Sequence, residues 1–103
     1  MQINHGDVIF LRVDEIPSKV EKEEDFDGIV QWGEVTHHAH RLSGKEFEMY
    51  KYFEEGRRFL LLKEDTEISH EEHLTIKIPK GKYEVRIVRE VDHFKDLVRQ
   101  VVD

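Results

Sequence analysis

Three of the seven histidines fall within the four positions 37 to 40, inside the stretch Gly33-Glu34-Val35-Thr36-His37-His38-Ala39-His40-Arg41. The flanking residues read as strand, and on an extended chain Thr36, His38 and His40 share one face while Val35, His37, Ala39 and Arg41 share the other. Two imidazoles at i and i+2 stand ~7 Å apart at Cα, close enough to converge on one ion or one substrate. A second group, Ser69-His70-Glu71-Glu72-His73, follows further along the chain. If folding brings the two groups together, His38, His40, His70 and His73 form a divalent-metal site. Glu71 or Glu72 then serves as a carboxylate ligand or as the base acting on bound water. Imidazole with carboxylate suits zinc, iron, manganese or nickel and does not choose among them. Three protein ligands and one open position would acidify water, which makes hydrolysis the expected reaction.

Two other readings use the same residues. In one, the histidines hydrogen-bond carbonyls and carboxylates on a polar sheet face and do no chemistry. In the other, imidazoles with their ordinary pKa of about 6.5 act without metal. His38 or His40 would be the base and His70 or His73 the acid, with Arg41 or Arg86 holding an anionic transition state, as in an RNA nuclease. The His70-Glu71-Glu72-His73 spacing is not the helical His-Glu-x-x-His zinc motif, because the histidines are three apart and strand-like alternation follows. Ser18, Ser43 and Ser69 are the only serines, and none sits in a nucleophile elbow. Trp32, Tyr50 and Tyr52 are candidates for a stacking surface or, more simply, for packing.

A chain of 103 residues has room for one domain, spanning 1–103, with a single modest core. Zero cysteines removes disulfides, thiolate zinc sites and a cysteine nucleophile together. The net charge of -7 argues against a general binder of nucleic-acid backbones. Phe59-Leu60-Leu61-Leu62 is the longest apolar run and is far too short to span a bilayer. No signal-peptide pattern opens the chain, so the expectation is a soluble cytoplasmic protein with no membrane partner.

The elements that would position these residues are short strands. Asp7 to Val13 reads as a buried first strand after a His5-Gly6 turn, and Pro17 ends it. Ser18 to Asp27 carries mainly Lys, Glu and Asp and is expected to be a solvated loop. Ile29 to Trp32 leads through Gly33, as a bulge, into the histidine stretch. Ser43-Gly44-Lys45 turns the chain before Phe47 to Phe53, and Glu54-Glu55-Gly56-Arg57 signals a hairpin to Arg58 to Lys63. After an acidic turn at Glu64 to Glu67, Ile68 leads to the second histidine group. Leu74, Ile76 and Ile78 then alternate with Thr75 and Lys77, with His73 on the polar parity. Pro79 to Lys82 is a turn before a last strand from Tyr83 to about Val91. Phe94, Leu97, Val98 and Val101 recur at helical spacing. The expectation is an all-β, mainly antiparallel small barrel or sandwich of six to seven strands with a short C-terminal helix. Free sheet edges make a homodimer plausible and leave room for a non-catalytic interaction module that binds a protein partner.

Taken together, Gly33-Glu34-Val35-Thr36-x-His38-Ala39-His40, His70-Glu71-Glu72-His73, Pro79-x-Gly81-x-Tyr83-x-Val85 and Arg89-Glu90 resemble a family of small uncharacterised phage, plasmid and bacterial proteins. The opening Gly6-Asp7-Val8 belongs to the same likeness, which covers most of the chain. It implies that His38, His40, His70 and His73 are the motif histidines and His37 an extra, and it implies no activity. A weaker likeness is to cupins, whose first motif sets a Gly before His-x-His and a Glu after it. Gly33, His38 and His40 fit, with Glu46 or Glu48 as the carboxylate. The second cupin motif has its histidine after Pro-x-Gly, whereas here Tyr83 follows Pro79-Lys80-Gly81.

Overall fold

The computed structural model describes residues 1–32, 38–52 and 57–88. Ten strands occupy them: β1 (Gln2–His5), β2 (Val8–Val13), β3 (Val20–Lys22), β4 (Ile29–Trp32), β5 (Ala39–Leu42), β6 (Phe47–Tyr52), β7 (Arg57–Leu62), β8 (Thr66–His70), β9 (His73–Ile78) and β10 (Gly81–Ile87). They form two antiparallel sheets, one of order β1-β2-β10-β7-β6-β3 and one of order β4-β5-β8-β9. The architecture is therefore all-β and layered, and the sheets do not close into a barrel. The C-terminal helix expected from Phe94 onward lies outside the described residues, as do Gly33 and the hairpin turn after Phe53.

The strand count exceeds the expected six to seven because Ile29–Trp32 and Ala39–Leu42, expected as one strand bulged at Gly33, are antiparallel partners, and because three short pieces gain their partners only in three dimensions. Gln2 to His5 folds back on Val8 to Leu11 through the two-residue loop Gly6-Asp7. Gly6 has φ +62°, the sign that primed hairpin turns require. Val20 to Lys22, inside the stretch expected to be a solvated loop, pairs with Tyr50 to Tyr52. Thr66 and Glu67, expected in a turn, begin β8 instead.

The core lies between the layers. Val8, Phe10, Met49, Leu60, Leu62, Tyr83 and Val85 come from the larger sheet, and Val30, Leu42, Ile68 and Ile78 from the smaller. Each such side chain contributes roughly 1.5–3 kcal/mol when fully buried, so this interface holds the layers together. Arg58 adds a polar tie by donating from Nη1 to the Val30 carbonyl at 2.7 Å. Tyr83 needs a partner for its hydroxyl, which donates to the Pro79 carbonyl at 2.7 Å across the sheet-crossing corner. We expect Tyr83→Phe to lower stability by about 1 kcal/mol, read as a shifted urea midpoint with an unchanged slope.

Two register shifts bear on where the histidines point. Between Ile29 and Gln31 the β4–β5 ladder slips by one residue, and between Ile68 and His70 the β8–β9 ladder does the same. In the second case Ile68 pairs with Ile76 while His70 pairs with His73, so β9 carries one extra residue. Such bulges re-aim side chains. Leu74, expected in the core by alternation, is turned out and 86% exposed.

Candidate metal centre

The two histidine groups meet. Arg41 pairs with Ser69 and Leu42 with Ile68, which brings His40 beside His70, and the β8–β9 hairpin sets His70 opposite His73. The ring centroids of His40 and His70 are 4.5 Å apart, those of His70 and His73 4.7 Å, and those of His40 and His73 5.7 Å. A possible ligand atom from each of these three lies within 4.8 Å of the others. His38 stands at the rim, its centroid 5.6 Å from His70, and with His70 and Glu71 forms a second, overlapping triad.

A fifth histidine joins the cluster from the other sheet. His5, at the end of β1, is 3% exposed and His40 is 2% exposed. Their rings meet edge to face at 4.9 Å, and His5 also lies 5.6 Å from His73. His5 Nδ1 is 2.8 Å from His40 Nδ1, and His5 Nε2 donates to the Leu74 carbonyl at 2.8 Å. Asp7, two residues on, places Oδ1 3.0 Å from His40 Nε2. Between them Gly6 presses on the cluster so closely that a Cβ there would sit 2.7 Å from His73 Nε2 and 2.9 Å from His40 Cε1. Sequence reasoning missed His5 and Asp7 because nothing local ties a turn at the start of the chain to histidines on β5 and β9. Its one clue was a histidine and a carboxylate flanking a turn glycine.

The expected carboxylates and arginines are arranged differently. Glu71 Oε1 accepts the Ala39 amide at 2.9 Å, which keeps its carboxyl below the ordinary value, and Oε2 lies 3.9 Å from Arg41 Nη1. Glu71 thus fastens the hairpin to β5, and Arg41 pairs with it. Glu72 lies 3.4 Å from His38 Nδ1, which is buried but not in hydrogen-bond geometry, and its carboxylate is 61% exposed. Arg86 belongs to the outer face of the other sheet, bound to Glu84 at 3.1 Å. Glu48 is held by Lys22, Lys63 and Tyr50, so it offers nothing to the histidines. Trp32 and the pair Tyr50 and Tyr52 sit on different sheets and make no common stacking face. A cleft of about 570 Å³ at Glu23, Asp25, Trp32 and Arg58 is lined by none of the histidines.

Burial lowers His5 below the ordinary imidazole value and, with the neighbouring His70, brings His40 down to about 4. Asp7 works in the opposite direction without reversing this. At neutral pH His5 and His40 are therefore uncharged. The depressed value in the fold means that the unfolded chain binds more protons between about 4 and 6.5. We expect the metal-free protein to keep this part of its stability above that window and to lose it as pH falls through it. Denaturant midpoints measured in chelator across the range test this.

The family model described as domain of unknown function (DUF8820) matches residues 4–88. The chain belongs to this family. The DUF8820 match begins just before His5 and runs past His73, so every residue of the cluster lies inside it. No curated protein and no solved structure matches the chain. None of these comparisons links it to the cupins. No helix among the described residues is long and apolar enough to cross a membrane.

Proposed function

We propose that this domain binds one divalent metal ion through His40, His70 and His73 and that the centre supports hydrolysis of a small substrate. The observation that carries this reading is the convergence of three imidazoles from three neighbouring strands, with ligand atoms within 4.8 Å of one another. No cysteine is present to offer thiolate, so the donor set favours zinc, iron, manganese or nickel. His70 has to adjust. Its Nδ1 accepts the Glu72 amide at 3.0 Å, which puts the proton on Nε2. Either the ring turns over or Nδ1 becomes the ligand, and in both cases the exposed Glu72 amide turns to water at little cost.

A bound ion would supply acidified water, and His38 with Glu72 at the rim are the groups able to take up the proton. Glu72 suits this better than Glu71, whose oxygens already hold Ala39 and Arg41. The test is the metal content of tag-free protein incubated separately with zinc, manganese, iron(II) and nickel. One equivalent in the wild type and none in a His40→Ala, His73→Ala variant supports the centre. No uptake by the wild type removes it.

One observation favours a second reading, a non-catalytic accessory module of a mobile element that docks on another protein. Leu74 is exposed on β9, at the border of its sheet and next to His73, and an outward apolar side chain there suits an interface. In that case metal would order the surface and do no chemistry.

A further inference from the structure

We infer that the cleft beside β4 is a docking site for a basic segment of a partner protein, a lysine or arginine of which lies over Trp32 and among Glu24, Asp25 and Asp27. This is independent of the metal centre and lies at the border of the smaller sheet opposite β9 and Leu74. The cleft, about 570 Å³, is formed where the β3–β4 loop and β4 face Lys51 of β6 and Arg58 of β7. That volume falls within the ~300–1,000 Å³ typical of small-ligand sites. Its floor is apolar. Phe26 is packed against the core and stands edge to face with Phe47 at 5.3 Å. Trp32, the only tryptophan in the chain, is 60% exposed. Plain alternation would put Ile29 and Trp32 on opposite faces, but the register shift between Ile29 and Gln31 lets both line the cleft.

The walls carry surplus negative charge. Arg58 is already neutralised, since Nε and Nη2 donate to the Glu23 carboxylate at 3.0 and 3.3 Å. The same loop is pinned by the Glu23 amide on the Met49 carbonyl and by the Phe26 amide on the Glu23 carbonyl, so the cleft is built before anything enters it. Asp27 uses one oxygen on the Ile29 amide. Glu24 and Asp25 make no hydrogen bond or ion pair among the described residues. Three carboxylates therefore face Lys51 alone. The acids by themselves would select nothing beyond positive charge; the exposed indole beside them selects an organic cation, which its ring face attracts. Lysine and arginine supply both parts, an aliphatic stem for the floor and a charged head for the carboxylates. Because β4 is a border strand, an extended chain can approach along it.

The test titrates a capped pentalysine peptide into the protein in chelator and follows the fluorescence of Trp32. A saturable change that weakens as salt is raised is expected. The Glu24→Gln, Asp25→Asn double variant should bind roughly tenfold more weakly. Trp32→Leu, followed by the amide shifts of Phe26 and Ile29, should bind about fivefold more weakly. Lys51→Gln should bind more tightly, because it removes the cation that competes for the carboxylates. All four side chains are exposed, so the fold tolerates these changes. Glu64→Gln, Glu67→Gln makes the same change in charge away from the cleft and should bind as the wild type does. No saturable change, or an equal loss in that control, overturns the inference, because the peptide then answers only to the overall charge of -7. Binding of pentaglutamate overturns the sign of the site. Spermidine binding as tightly as the peptide assigns the cleft to a free polyamine and overturns the protein partner.

Discussion

Adding zinc or manganese to the chelator-stripped protein, at about one hundred times its dissociation constant, is expected to raise the unfolding free energy by about 2.7 kcal/mol. For a domain of this size that corresponds to a melting point higher by roughly 10–20 °C. The effect is large because the ligands belong to strands that are distant in sequence, and the unfolded chain cannot gather them. His40→Ala should abolish the shift. Its own melting point will fall as well, because a side chain only 2% exposed is being removed from packed surroundings. The quantity to compare is therefore the difference between loaded and stripped protein for each variant. Glu48→Gln, whose carboxylate is engaged by Lys22 and Lys63 far from any histidine contact, should keep the full shift. An equal shift in His40→Ala would mean that the ions bind elsewhere.

Gly6→Ala is expected to damage both the fold and metal binding. Two penalties combine. A non-glycine residue at φ +62° carries about 1–2 kcal/mol of left-handed strain. In addition, the new methyl would sit 2.7 Å from His73 Nε2, so that ring must shift to admit it. In the stripped protein His73 can yield, because its ring is the mobile end of a side chain. In the loaded protein it cannot yield without leaving the ion, so metal affinity should fall more steeply than stability. Gly6→Asn separates the terms, since asparagine tolerates the left-handed region but still brings a Cβ. Affinity restored in Gly6→Asn would show that the contact with His73 is unimportant.

Much of the layered β architecture was legible because it is written locally. The apolar run in Val8 to Val13, the alternation in Tyr83 to Ile87, the glycine-bearing hairpin after β6 and the His-x-His spacing are each read without reference to the rest of the chain. The register of β5 against β8, which joins the two histidine groups, was not legible, because pairing between distant segments leaves no local mark. His73 shows the limit most clearly. Simple alternation from Ile76 and Ile78 puts it on the polar face, and only the bulge in β9 brings it opposite His70. Val20 to Lys22 was hidden for a related reason: an edge strand buried on neither side has no apolar pattern to reveal it. His5 and Asp7 were out of reach altogether, since their value depends on β1 lying against β9 at the meeting of the two sheets.

The position of that turn has a mechanical consequence. This chain has no covalent cross-link, and its layers are held by apolar contact, by Arg58 at one border and by the contacts of His5 with His40 and Leu74 at the other. A loaded centre would clamp β5, β8 and β9 together at the opposite border through His40, His70 and His73, closing long loops at a single point. Amide exchange should then slow in β5, β8 and β9 while β6 and β7 keep their original rates. The ion would serve this small domain as a removable brace, present or absent according to its supply.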